Sequence, residues 1–322
     1  MAFLSRLHRL QRLLALFVTF LWSTSWVLIK FGLEDIPPIS FAGLRYTLAF
    51  LILAPAVLAN ATRRDELRRL RPSDWLRLSA LGVVLYSLTQ GAQFVALSFL
   101  PAVTLSLILS FSPAVVALFG AWFLGERLTP HQWAGVVCFM FGAAVFFLPL
   151  EGPPQILGLA VAAVGLLAQS SASVLGRAVN RGGDLHPLVV TVVSMGVGSL
   201  LLLATGFIAE GVPQLDASGW CIVLWLAIVN TSLAFTIWNH TLKSLTAIES
   251  TLINNTMLIQ IAILAWLFLG EVILQREAIG LFIAMIGVLV VQLAGNRSKD
   301  DSWVPRSQLH NCSRQSEASH KE

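Results

Sequence analysis

Charge is scarce in this sequence: 12% of its 322 residues are Asp, Glu, Lys or Arg, against 56% hydrophobic. A soluble domain carries about 25% charged residues, so the shortage excludes an ordinary soluble chain, and the mean hydropathy of +0.77 agrees. Cysteine is sparse too. Cys138, Cys221 and Cys312 form no CxxC pair and no even set, which removes a disulfide framework and a zinc cluster. There is no phosphate-cradling glycine loop, and His8, His131, His186, His240, His310 and His320 are scattered over loops, ends and tail. A metal site, a cofactor site and a catalytic constellation therefore lack their residues. The net charge of +4 does not mark nucleic-acid binding, because the basic residues lie in short segments between apolar runs, which is a topology signal.

What is abundant is apolar sequence in lengths of roughly 20 residues, enough to cross a bilayer as a helix. Breaks at charged or Gly/Pro-rich points predict an all-α integral membrane protein of ten transmembrane helices, at about 13–31, 38–59, 75–97, 102–123, 131–149, 155–176, 187–208, 219–240, 246–269 and 276–294. Arg6, Arg9 and Arg12 ahead of the first run resemble a signal peptide, but the run continues past Trp22 through Ile29 and is longer than a usual h-region. It is taken as the first span, with residues 1–12 a cytoplasmic segment. Starting inside, every basic residue except Lys30, Arg45 and Arg276 falls in an internal segment or the tail, while Glu34, Asp35, Glu151, Glu210, Asp216, Glu271 and Glu277 fall outside. Both termini are expected in the cytoplasm and the protein in the cell inner membrane. Residues 295–322 are polar and predicted to be a disordered tail.

A shift of 145 residues lays Phe123-Leu124-Gly125-Glu126 on Phe268-Leu269-Gly270-Glu271, Gly135 on Gly280, Met140 on Met285, Gly142 on Gly287 and Trp75 on Trp220. Two repeats of five helices follow, 13–149 and 155–294. Because five is odd, the second enters the membrane from the opposite side. Such inverted repeats hold their substrate near the midplane, between halves that rock to give alternating access.

Leu21-Trp22-Ser23 with Lys30, Pro37-Pro38 followed by Arg45, and the two Leu-Gly-Glu segments make residues 13–294 resemble an EamA-type member of the drug/metabolite transporter superfamily. Within it the sequence is similar to bacterial exporters of aromatic amino acids. The resemblance implies the drug/metabolite transporter fold, a central cavity, export of metabolites and no nucleotide hydrolysis. Val272 and Ile273 depart from the Arg127-Leu128 of the first half.

Candidate cavity residues come from polar or aromatic side chains inside spans, which are costly in lipid unless they face protein or water. Tyr86, Gln90 and Gln93 share one face of an α-helix. The repeat-related face carries Thr231, Phe235 and Trp238, with Asn230 beside it. Span one offers Trp22, Ser25 and Trp26, span six Gln169, Ser170, Ser171 and Ser173. Spans four and nine offer Ser106 and Ser110 against Asn254, Asn255 and Gln260. Each of these has interhelical packing as its alternative role, worth about 1 kcal/mol per contact. Pro113 removes a backbone hydrogen bond mid-span and is a hinge candidate, with a static kink as the alternative. Arg45 either orients a substrate carboxylate or makes a structural contact, and Lys30 is near a span end, where it can snorkel. Glu249 is the candidate for proton coupling, but Thr246-Ala247-Ile248-Glu249 also reads as a capping box. Glu126 and Glu271, beside glycines, are expected to form turns.

The expected function is a secondary transporter or facilitator whose partners are the bilayer and a small amphipathic molecule, such as an aromatic or other neutral amino acid. A sugar-phosphate or nucleotide-sugar exchanger would call for more buried cations than Lys30, Arg45 and Arg177. A lipid-modifying enzyme would call for converging acids or histidines, and a channel for a continuous polar stripe.

Overall fold

The computed structural model describes residues 2–123, 129–147, 153–181, 185–241, 245 and 247–300; at 2–9, 120–123, 147, 153–155, 177, 180–181, 239, 247–249, 251–252, 292 and 294–300 it describes the backbone alone. Among the described residues every regular element is helical, as lipid requires of a chain whose backbone groups must be satisfied internally. Prolines start many of them: Pro38 opens α2 (Pro38–Leu58), Pro72 α4 (Pro72–Gly82), Pro130 α8 (Pro130–Phe147), Pro153 α9 (Pro153–Arg181) and Pro187 α10 (Pro187–Glu210), where the missing N–H has no intrahelical role. The other elements are α1 (Ala2–Gly32), α3 (Ala61–Arg68), α5 (Gln90–Phe99), α6 (Ala102–Ser110), α7 (Ser112–Phe123), α11 (Ala217–Trp225), α12 (Ala234–Thr241), α13 (Ala247–Phe268) and α14 (Gln275–Asp300).

Among the described residues, seven helical stretches are long and apolar enough to cross a membrane, by length and composition: Leu10–Gly32, Pro38–Leu58, Pro72–Phe99, Ala102–Phe119, Ile156–Gly176, Pro187–Glu210 and Ala217–Trp238. Two shorter apolar helices, Pro130–Phe146 and Ile253–Phe268, lie where the fifth and ninth spans are expected. Several boundaries differ from the sequence reading. Helix α1 begins at Ala2, inside the segment assigned to the N-terminal arm, and α14 runs past Ala294 to Asp300. The loop after α2 contains α3, whose N-terminus Asn60 caps by accepting the Arg63 N–H at 3.2 Å. The expected turn at Glu126 and residues 301–322 of the tail lie outside the described residues, as do Thr246 and the side chains of its capping box with Glu249.

Helices at the same place in the two halves pack on each other: α2 on α10 and α8 on α14. Both pairs are antiparallel, since Ser40 faces Gly206 while Gly43 faces Leu203, and Gly135 faces Gly287 while Gly142 faces Gly280. The repeated glycines explain themselves here. A Cβ on Gly135 would stand 2.8 Å from the Gly287 carbonyl oxygen, and one on Gly142 would stand 2.7 Å from that of Gly280. The remaining contacts swap in the same way: α1 packs on α12 and α13, and α9 on α5, α6 and α7.

Two stretches depart from α-helix, Val83–Thr89 between α4 and α5 and Leu226–Leu233 between α11 and α12. Both are π-helical, and they occupy corresponding spans. Hydroxyls reach five residues back to support the wider turn: Thr89 Oγ1 donates to the Val84 carbonyl at 2.8 Å, and Thr231 Oγ1 to that of Leu226 at 2.8 Å. Such segments are frequent at functional sites.

One end of the bundle is packed shut. Ile29, Phe41, Phe94, Leu97, Leu100 and Ala102 are fully buried there, with the Phe41 and Phe94 rings edge-on at 5.1 Å. Acidic side chains cap helices at this end: Glu210 accepts from Ile39 N and Ser40 N at 3.1 and 2.8 Å. Asp216 accepts from Gly219 N at 2.7 Å, and this bond holds its carboxyl below the ordinary value.

Candidate functional site

Behind that closed end, a cavity of about 510 Å³ lies between the halves. Trp22, Ser25 and Trp26 line it from α1, Arg45 and Tyr46 from α2, and Thr89, Gln90 and Gln93 from the first π-segment and α5. Ser106, Ser110, Ser112 and Pro113 come from α6 and α7, Gln169 and Ser173 from α9, Phe235 from α12, and Asn254 and Asn255 from α13; Met285 and Val288 of α14 close the wall. Of the sequence candidates, Trp22, Ser25, Trp26, Arg45, Gln90, Gln93, Gln169, Ser173, Asn255 and Pro113 are thus brought together.

Five candidates stand behind the wall instead. Tyr86 is buried against Tyr46, ring centroids 5.6 Å apart. Ser170 bonds the Ser112 hydroxyl at 3.2 Å. Asn230 donates its amide to Ser25 Oγ at 2.9 Å, to Thr24 Oγ1 at 3.1 Å and to the Leu21 carbonyl. Thr231 accepts from Arg45. Trp238 buttresses Trp22, with centroids 5.2 Å apart. The reason for two of these displacements is the π-helical turn, which adds about one residue per turn and moves Tyr86 and Thr231 off the face that a regular α-helix would give them.

Thr89, Tyr46 and Ser112 also line the cavity, though none is among the sequence candidates. Tyr46 had a signal in its place beside Arg45, and Thr89 in its spacing, three residues after Tyr86 and four before Gln93 on one helical face. Gln260 does not line the cavity but ties α13 to α1, accepting from Ser23 Oγ at 3.0 Å and donating to Thr19 Oγ1 at 3.3 Å and Thr256 Oγ1 at 3.0 Å.

The helix of span four breaks at Phe111, between α6 and α7. Pro113 follows two residues later and has no N–H for the Leu109 carbonyl, which is why the ladder stops there.

Lys30 and Arg45 differ in their surroundings. Lys30 is engaged: its Nζ donates to the carbonyls of Leu97 and Leu100 at 2.8 and 2.9 Å, and the charge of Glu271 acts on it. Glu271 in turn accepts from Ala102 N at 2.7 Å and Val103 N at 3.2 Å, so it caps α6 and is more than the turn residue expected. Gly270 supplies the turn, at φ +64°. Arg45 is buried at 5% exposure and donates through Nε to Thr231 Oγ1 at 3.1 Å, with its guanidinium 5.1 Å from the Tyr46 ring centroid. Tyr46 donates its hydroxyl to Gln90 Oε1 at 2.7 Å, which leaves the Gln90 amide hydrogens for something else. Trp22 lies 5.4 Å from Phe235, giving the cavity an aromatic wall opposite its amides.

Antiparallel helical halves around a cavity part polar and part aromatic define the class as a membrane transporter built on a repeat. The chain belongs to the EamA-like transporter family, whose model matches residues 10–148 and again 156–293. It is 24% identical to "Uncharacterized transporter YoaV" of Bacillus subtilis over 88% of this chain and 96% of that one. It is 28% identical to "Probable amino-acid metabolite efflux pump" of Escherichia coli over 72% of this chain and 78% of that one. A solved crystal structure superimposes with a TM-score of 0.63 at 23% identity, covering 89% of this chain and 98% of the other, and shows the same fold.

Proposed function

We propose that the protein is a secondary exporter of small amphipathic metabolites, of the size and polarity of aromatic or other neutral amino acids, working by alternating access through the cavity between its halves. On this reading ten spans, in two units at 13–149 and 155–294, leave both termini on one side of the cell's inner membrane, and the basic inner segments favour the cytoplasmic side, with the segment after α14 a polar tail. The observation that carries this reading is the division of the cavity wall: Trp22, Trp26 and Phe235 offer ring faces, while Gln90, Gln93, Gln169, Asn254 and Asn255 offer neutral hydrogen-bonding groups. Ring contacts contribute about 0.5–1.5 kcal/mol each beyond area burial, which suits binding with rapid release. The efflux-pump name of the Escherichia coli relative points the same way.

A nucleotide-sugar exchanger is disfavoured, because among the described lining residues two phosphates would find Arg45 as the one cation, Lys30 being occupied by carbonyls. Proton coupling has no acid among the described lining residues to serve it. The purified protein in liposomes tests the reading: accelerated flux of tryptophan, phenylalanine or related amphipathic metabolites over protein-free liposomes is expected, with no flux of nucleotide sugars. Nucleotide-sugar exchange without flux of any aromatic amphiphile would overturn it.

A further inference from the structure

Resting on the transporter reading, we propose that the preferred cargo is a monoanion, an amphipathic carboxylic acid without a free ammonium group, whose carboxylate is held by Arg45, and that each cycle moves one negative charge outward.

The argument begins from charge balance. Among the described lining residues Arg45 is the one fixed charge, and none is acidic. Its Nε is satisfied by Thr231, and no carboxylate among the described residues pairs with the guanidinium. The terminal nitrogens form the edge that takes a planar carboxylate through two parallel bonds. A buried cation without a counter-ion is costly in a membrane and is kept where a ligand supplies the opposite charge. The neighbourhood is arranged to keep that edge free. Thr231 is held in place by its own bond to the Leu226 carbonyl, and the Tyr46 hydroxyl is directed at Gln90.

A zwitterion would satisfy Arg45 but bring an ammonium into a cavity whose described residues offer it amides, hydroxyls and indoles and no acid. Desolvating that ammonium is only partly offset by ring faces. An N-acyl, α-keto or α-hydroxy acid carries the same ring and carboxylate without that cost. Charge movement follows. The loaded site is neutral and the empty site carries the Arg45 charge, so an inside-negative potential draws the empty site inward and favours net export. At about 2.3 kcal/mol per charge per 100 mV, that potential sustains a roughly fifty-fold gradient for each 100 mV with no proton carried.

The test uses four probes sharing one ring: N-acetylphenylalanine, 3-phenyllactate, phenylalanine and phenylalaninamide. Each is loaded into proteoliposomes whose potential is set with potassium and valinomycin. The expected result is flux of the two monoanions at least ten-fold above phenylalanine and phenylalaninamide, rising when the lumen is made negative. Arg45→Gln is expected to remove both the preference and the voltage response, with Arg45→Lys keeping part of each; thermal unfolding checks that both variants fold. If Arg45→Gln does not fold, the wild-type preference and voltage response decide alone. Equal or greater flux of phenylalanine, or monoanion flux indifferent to potential, would overturn the inference and leave the transporter reading standing. No flux of any probe would sink both.

Discussion

Glu271 and Ala102, from opposite halves of the chain, meet at the closed end of the bundle, where the carboxylate takes the Ala102 N–H at 2.7 Å and the Val103 N–H at 3.2 Å. On the other side of the same turn Lys30 takes the carbonyls of Leu97 and Leu100. Both helix termini buried there, the end of α5 and the start of α6, are thus satisfied by opposite charges that complement the helix dipoles. Glu271→Ala is expected to lower stability by about 1–2 kcal/mol through loss of a charge-assisted cap, with Glu271→Gln closer to wild type. Thermal unfolding in detergent measures this. A Glu271→Ala protein as stable as wild type would show that the cap does not hold this end closed.

The seam between α8 and α14 gives a second expectation. Gly135→Val and Gly287→Val place carbons inside the facing backbone and are expected to destabilise by about 1–3 kcal/mol. Gly176→Ala is the control, since its nearest neighbour would be Leu81 Cδ1 at 3.9 Å and alanine favours a helix interior. Equal unfolding temperatures for all three variants would contradict the seam.

Trp22 and Trp238 separate wall from buttress. Trp22 contacts Phe235 and Trp238 and lines the cavity, so Trp22→Ala is expected to reduce kcat/KM for an aromatic cargo about ten- to a hundred-fold, from ring contacts of about 0.5–1.5 kcal/mol each with the cargo and its neighbours. Trp238→Ala should cost less than ten-fold and be restored by Trp238→Phe. Concentration-dependent counterflow distinguishes them, and a larger loss at Trp238 would reverse the assignment.

Orientation is testable with single cysteines in a background lacking Cys138, Cys221 and Cys312. Sites at Asp35 and Asp216 are expected to react with an impermeant thiol reagent on intact cells, and those at Arg68 and Arg181 only after permeabilisation. Labelling of the Arg68 and Arg181 sites from outside would invert the positive-inside assignment.

Much of the architecture was legible because lipid leaves a chain few options. Apolar length marks the helices, prolines such as Pro38, Pro130 and Pro187 mark their starts, and the glycines at 135, 142, 280 and 287 recur at one offset because two backbones touch there. Trp22, Trp26, Arg45, Gln90, Gln93, Gln169 and Asn255 were legible as cavity candidates for a related reason: polar and amphipathic groups inside a span must face something other than lipid.

The sequence by itself therefore determined a helical membrane chain of two repeated halves, since hydrophobic length and internal repetition are properties of residue order. Which polar side chains reach the cavity was decided by tertiary structure. The stretches at Val83–Thr89 and Leu226–Leu233 are π-helical and hold Tyr86, Asn230 and Thr231 behind the cavity wall, and no periodicity of 3.6 anticipates an inserted residue. Likewise Lys30 and Arg45 carry the same charge in the same part of the sequence, yet one meets helix carbonyls and the other an open cavity. Only the packing of α5 and α6 against α1, and of Thr231 against α2, separates a cation bound to helix carbonyls from one that lines the cavity.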